Sequence, residues 1–199
     1  QIVPARPKVY IEKHHQIIKG VDSVLPISSV LSVDEMVCRL WGDHAIETNA
    51  IKIAARVKEA IYREAGEYMR CSIGIAPNRF LSKVAADMKK PNGLTVIRKE
   101  DLPDRLTEMK LNDFPGIGPR MERRFNLAGI TTVKQLIAMT PRDLSRVFGS
   151  TLIAGRWYHR LRGEDIPDSP TQRRSLGHSR VLEPIFRNQR DAREILIRL

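Results

Sequence analysis

The sequence predicts an α+β fold: a small antiparallel sheet with helices on one face, followed by an all-helical part. Three observations carry this. Strand-like runs occur only before Arg98. The connections between them are too short and irregular for a regular parallel α/β fold. Beyond Arg98 only helical patterns follow.

In chain order, residues 6–24 set Val9, Ile17, Ile18 and Val21 among Lys8, Lys13 and Lys19, which suits an amphipathic helix ended by Pro26. His14 and His15 are adjacent, point to different sides, and read as surface residues rather than ligands. Residues 27–32 and 36–40 read as two short strands joined through Asp34 and Glu35, and Trp41-Gly42-Asp43 breaks the second. Thr48 is the expected cap of a helix running to Glu64, with Ile51, Ala54, Ala55, Ala60 and Ile61 inward and Gly66 as its stop. Residues 68–75 (YMRCSIGI) read as a strand beside the acidic hairpin. Asn78 is placed to cap a helix over 79–88, and a strand is expected at 94–97. Helical patterns then fall at 101–108, 120–128, 133–139, 141–148 and 152–162. Residues 163–176 read as a linker, and 190–199 begin another element.

The 199 residues carry a formal net charge of +11, which points to a polyanionic partner such as nucleic acid or an anionic membrane surface. Residues 98–199 hold 20 basic against 13 acidic side chains, and residues 1–97 hold 14 against 10. The excess is therefore larger in the helical part, where arginine dominates and favours phosphate contact. No apolar run is long enough to span a membrane, and no signal peptide is recognisable. Cys38 and Cys71 make neither a metal spacing nor a disulfide framework and read as reduced, buried thiols. The chain starts at Gln1 rather than Met and reads as a fragment or a processed chain.

Three stretches carry chemistry. In VLSVDEMVCRL (30–40) two adjacent carboxylates, Asp34 and Glu35, sit between apolar runs. Turn chemistry favours a simple acidic hairpin; a pair of metal ligands at a sheet edge is the alternative. In SIGIAPNRFLSK (72–83) Arg79 and Lys83 lie four apart, on one side of a helix near its positive end, where cations cost stability unless an anion compensates. A solvated helix face is the ordinary explanation; a phosphate site is the sharper one. In FPGIGPRMERRF (114–125) a Pro-Gly-x-Gly turn between helices reads as a helix-hairpin-helix. Gly116 and Gly118 let an anion approach closely, the N–H groups of Ile117 and Gly118 are expected to point outward, and Arg120, Arg123 and Arg124 add charge. A DNA phosphate fits there without base reading.

The runs SVDEM, CSIGIAPNRFLSKVAADMKKPNGLTVI and NDFPGIGPRMERRFNLAGITTVKQL, in this order, resemble a Y-family (UmuC-like, ImpB/MucB/SamB type) translesion DNA polymerase over nearly the whole chain. The resemblance implies a partial polymerase palm over 1–97, a helix-hairpin-helix thumb over 98–165, and a linker with the start of the little finger over 166–199. It implies a DNA-directed DNA polymerase working past damaged bases with two magnesium ions held by Asp34 and Glu35. Lys83 matches the lysine that contacts the triphosphate of the incoming nucleotide. Arg79 stands where the family usually has Lys. Gly116, Ile117 and Gly118, with Arg120 beside them, match the thumb hairpin that grips the DNA backbone. Ser32 matches the serine of the acidic motif, and Met36 replaces its usual alanine.

The implied partners are primer-template DNA, a deoxynucleoside triphosphate and a sliding clamp reached through a segment outside this chain. The implied location is cytoplasmic, with no membrane contact. The family's N-terminal strand with a further metal-binding Asp has no counterpart here, so the chain by itself is expected to be inactive. Two other readings stay open: a non-catalytic DNA-binding accessory, and a helix-hairpin-helix glycosylase. Against the glycosylase, the next acid after Glu122 is Asp143, in another helical segment.

Overall fold

The computed structural model describes residues 4–167, 177 and 181–198. They form two compact units, one ending at Ile166 and one beginning at Pro167.

The first unit opens with α1 (Pro7–Asp22), started by Pro7 at its first turn. A hairpin follows: β1 (Ile27–Val30) pairs antiparallel with β2 (Met36–Cys38), Val30 opposite Met36, with a register irregularity between Ile27 and Ser29. Next comes α2 (Glu47–Ala65). Its N-cap is Ile46, so Thr48 lies inside the first turn and does not cap it. The entry is tied down instead by Asn49, whose side-chain amide donates to the Asp43 carbonyl at 2.9 Å. Gly66 stops the helix at φ 111°, a conformation that favours glycine. Helices α1 and α2 cross closely, since a Cβ on Gly20 would lie 3.1 Å from the Ala60 carbonyl oxygen. Val21, Ile61 and Ala65 form an apolar cluster there, and Ile17, Ile27, Met36, Cys38, Met69 and Cys71 pack on it. Both cysteines are free and half-buried, and burial pushes both thiols up in pKa.

The expected single antiparallel sheet is not formed among the described residues. The strand expected over 68–75 is only β3 (Ile73–Ile75), and its partner is β4 (Leu94–Val96), parallel to it, rather than the acidic hairpin. Two causes are visible. Residues 66–70 turn, with Met69 donating to the Gly66 carbonyl at 3.0 Å. Between β3 and β4 the chain makes α3 (Arg79–Met88), and such a crossover returns the next strand parallel. Asn78 caps α3 as its position predicts, accepting from the Leu81 N–H at 2.8 Å.

Beyond Arg98 the helix expected over 101–108 is a 3-10 turn at Asp104–Leu106, and a second such turn spans Leu111–Asp113. Pro103, which donates no N–H, interrupts the pattern. The other helices form where the pattern placed them: α4 (Pro119–Leu127), α5 (Val133–Ala138), α6 (Pro141–Phe148) and α7 (Thr151–Arg160). Thr132, Thr140 and Ser150 each accept a first-turn N–H, which accounts for three closely spaced helix starts. A larger apolar cluster joins Leu81, Val84 and Ile97 to Phe114, Phe125, Leu136, Leu144, Trp157 and Leu161, so one core runs across residue 98. Phe80 of α3 meets Trp157 edge-on at 5.0 Å between ring centres.

In the second unit α8 (Gln189–Ile197) follows a 3-10 turn at Pro184–Phe186. Asn188 caps it, accepting from the Asp191 N–H at 2.9 Å. The linker expected over 163–176 falls largely outside the described residues.

Candidate nucleotide and metal site

The acidic pair lies at the tip of the β1–β2 hairpin. The loop closes on itself: the N–H groups of Leu31 and Ser32 both donate to the Glu35 carbonyl, at 2.8 and 3.2 Å. Ser32 Oγ donates to Asp34 Oδ1 at 2.6 Å and accepts from the Asp34 N–H at 3.3 Å. Asp34 thus keeps its other carboxylate oxygen for a partner beyond the loop, and its side chain is exposed.

Glu35 is half-buried and forms an ion pair with Lys83. This contact joins two stretches that lie far apart in the sequence, the hairpin and α3. Lys83 also reaches Asp87 at 3.2 Å, and Lys90 meets Asp87 at 2.5 Å. The result is a chain of alternating charge: Glu35, Lys83, Asp87, Lys90. Burial acts to lower the Lys83 pKa, but the hydrogen bonds to Glu35 and Asp87 outweigh it and leave it raised. For Asp87 burial acts upward, and the bonds from Lys90 and Lys83 outweigh it and leave it lowered. Arg79 opens α3 one turn before Lys83 and is exposed.

The Pro-Gly-x-Gly turn belongs to the large aromatic cluster rather than to the hairpin. Gly116 adopts φ 98°, with Trp157 behind it. The Ile117 N–H does not point outward; it donates to the Phe114 carbonyl at 3.0 Å, and the Ile117 side chain is buried. Gly118 is the N-cap of α4, without a side-chain cap, and open space surrounds it. Arg120, Arg123 and Arg124 are exposed beside it. The element before the turn is one 3-10 turn, not an α-helix.

Three residues have roles not assigned above from the sequence. Asp87 was legible, since it lies four after Lys83 and three before Lys90 on one helix, spacings at which side chains meet. Asn78 does more than cap: its amide donates to the carbonyls of Arg160 and Glu164, at 2.9 and 3.0 Å. His14 is not a plain surface residue, because it is half-buried and bonds the Val33 carbonyl at 2.7 Å. Nothing local signals a contact nineteen residues away. Among the described residues no group of three or more His, Cys, Asp or Glu side chains is arranged to hold a metal ion. No helix among them is long and apolar enough to cross a membrane.

The chain that carries this arrangement has clear relatives. Residues 1–87 match the impB/mucB/samB family model. A DNA polymerase IV of Moorella thermoacetica is 31% identical over 99% of this chain and 49% of its own length. A DNA polymerase IV of Saccharolobus solfataricus is 30% identical over 98% of this chain and 54% of its own. In structure, DinB from Sulfolobus solfataricus aligns with a TM-score of 0.66 at 29% identity, covering 79% of this chain and 47% of that one. The insertion ternary complex of Dbh DNA polymerase aligns at 0.69 with 28% identity, over 83% and 48%. Residues 1–87 thus resemble the impB/mucB/samB group, and nearly the whole chain resembles polymerases of the Y family. Within it, the Moorella and Saccharolobus relatives both carry the name DNA polymerase IV, and the chain spans about half the length of each.

Proposed function

We propose that this chain carries the nucleotide-side half of a translesion DNA polymerase, a DNA-directed nucleotidyltransferase. Residues 1–97 form part of its palm, 98–165 its thumb and 166–199 the approach to its little finger. The observation that carries the reading is the Lys83–Glu35 ion pair, which sets a phosphate-binding cation against the acidic tip.

The donor set suits a hard cation. Magnesium is held through one or two carboxylates together with substrate phosphates and water, and Asp34 and Glu35 supply two carboxylates on an exposed loop. Bound there, two magnesium ions would supply charge neutralisation for phosphoryl transfer and a lowered pKa for the attacking primer hydroxyl. The chain's own residues do the rest. Asp34, aligned by Ser32, directs its free oxygen outward. Lys83 exchanges part of its bond to Glu35 for the triphosphate of the incoming nucleotide, and Arg79 adds charge one turn away. Asp87, 3.2 Å from Lys83, would keep that ammonium aimed if Glu35 held the cation. Gly116, Gly118 and Arg120 hold primer-template DNA by its backbone at the thumb's turn, which buried Ile117 anchors in the core, with affinity that falls steeply with salt.

Asp34→Ala in the whole polymerase is expected to abolish primer extension while leaving DNA binding within about twofold, since phosphate contacts dominate affinity. Normal extension by that variant would sink the reading.

A further inference from the structure

The hairpin tip is not held by packing. Leu31 and Val33, its apolar side chains, are 45% and 51% exposed. Hydrogen bonds hold it instead, and two come from other elements: Lys83 of α3 grips Glu35, and His14 of α1 bonds the Val33 carbonyl at 2.7 Å. A carbonyl only accepts, so His14 Nδ1 carries the hydrogen. The post is firm. Ile17 and Val21, further along α1, pack in the same cluster as Ile27 and Met36 of the hairpin.

The Val33 carbonyl shares one rigid peptide plane with the Asp34 N–H. Fixing that oxygen fixes the plane from which the Asp34 side chain departs. We propose that His14 is a positioning residue for Asp34, setting the direction in which its carboxylate meets a divalent cation. The inference rests on the proposed metal-binding role of Asp34. It gives α1 a part in the site that its sequence of surface lysines and histidines does not suggest.

The test is a Mn2+ titration of the 199-residue chain, followed by electron paramagnetic resonance, beside amide hydrogen exchange of residues 31–35. The variants are His14→Ala, His14→Asn, His14→Gln and Asp34→Ala. Asn carries its amide nitrogen the same number of bonds from Cα as Nδ1; Gln carries it one bond further. Loss of one such hydrogen bond corresponds to about a tenfold change. His14→Ala and His14→Gln are therefore expected to weaken Mn2+ binding, and to speed exchange of the Leu31 and Ser32 amides, by about that factor. His14→Asn is expected to stay within about twofold of the unchanged chain on both measures, a rescue that a merely space-filling role does not give. If Asp34→Ala leaves Mn2+ binding unchanged, the metal reading fails and the proposal with it. If Asp34→Ala weakens binding while His14→Ala changes neither binding nor exchange, the positioning role alone is overturned. His14→Asn behaving like His14→Ala also overturns it.

Discussion

Gly74 couples the fold to the site, and replacing it with alanine tests that coupling. It is the middle residue of β3, opposite Thr95 of β4. A Cβ there would lie 2.0 Å from the Ser82 carbonyl oxygen, 2.5 Å from the Ala86 nitrogen and 2.8 Å from the Ala85 Cβ. Ordinary contacts between unbonded heavy atoms fall at about 3.5–4.0 Å, so α3 must withdraw by about 1 Å or more. Two of the three obstacles are backbone atoms, which no rotamer change relieves. Overpacking costs about 1–3 kcal/mol, and backbone movement puts Gly74→Ala at about 3 kcal/mol. In a unit of this size each kcal/mol moves the melting temperature by about 2–4 °C, so thermal unfolding by circular dichroism should fall by about 6–12 °C. Because α3 carries Lys83, the same withdrawal lengthens its reach to Glu35. Gly155, inside α7, has nothing within 4 Å of its would-be Cβ. Gly155→Ala should therefore be neutral or stabilising by up to about 1 kcal/mol. A Gly74→Ala chain melting within about 1 °C of the unchanged one would refute the close-approach argument.

Phe125 is fully buried and meets Phe148 edge-on at 5.3 Å, so Phe125→Ala should cost about 3–5 kcal/mol in a denaturant titration. The pH dependence of stability should show two limbs. Asp87 holds its proton less readily when folded, so its contribution is present above the unfolded value of 3.8 and is lost as pH falls through the lowered folded value. Lys83 holds its proton more readily when folded, so its contribution is present below 10.5 and is lost as pH rises through the raised folded value. Denaturant midpoints measured against pH should show a shallower acid limb for Asp87→Asn; an unchanged limb would remove Asp87 from the account.

Local chemistry makes most of the helices legible. Asn78, Thr140 and Gly149 each act on their own turn, as cap, cap and stop, and α6 has the bounds its residues predict. Lys83 is legible as a cation near a helix start, but its partner is not, because Glu35 is 48 residues away. The sheet is hidden for the same reason. Whether residues 68–75 pair with the hairpin or with 94–96 depends on the path of α3, which strand propensity does not encode. Ile117 shows the limit from another side. Its side chain is drawn into the aromatic core and its N–H turns to Phe114, where the motif predicts an outward donor.

The candidate site straddles a polar seam. The hairpin, α1 and α2 pack in one apolar cluster, and α3 packs in the other. Four pairs that cross between these halves are polar: Glu35 with Lys83, Lys58 with the Asn92 carbonyl, Glu47 with Arg98, and Arg39 with Asp165. Exposed pairs of this kind contribute about 0–1 kcal/mol each and are screened by salt, yet they fix orientation. The contact between the hairpin tip and α3 at Lys83 is therefore one of charge. For the proposed triphosphate site this has a consequence. Under the proposed function an incoming anion would compete with the Lys83–Glu35 contact, and a divalent cation would compete at Glu35 for the position Lys83 holds. Substrate and metal would then reset the seam without disturbing either core, with the His14 bond to the Val33 carbonyl holding Asp34 on the hairpin side.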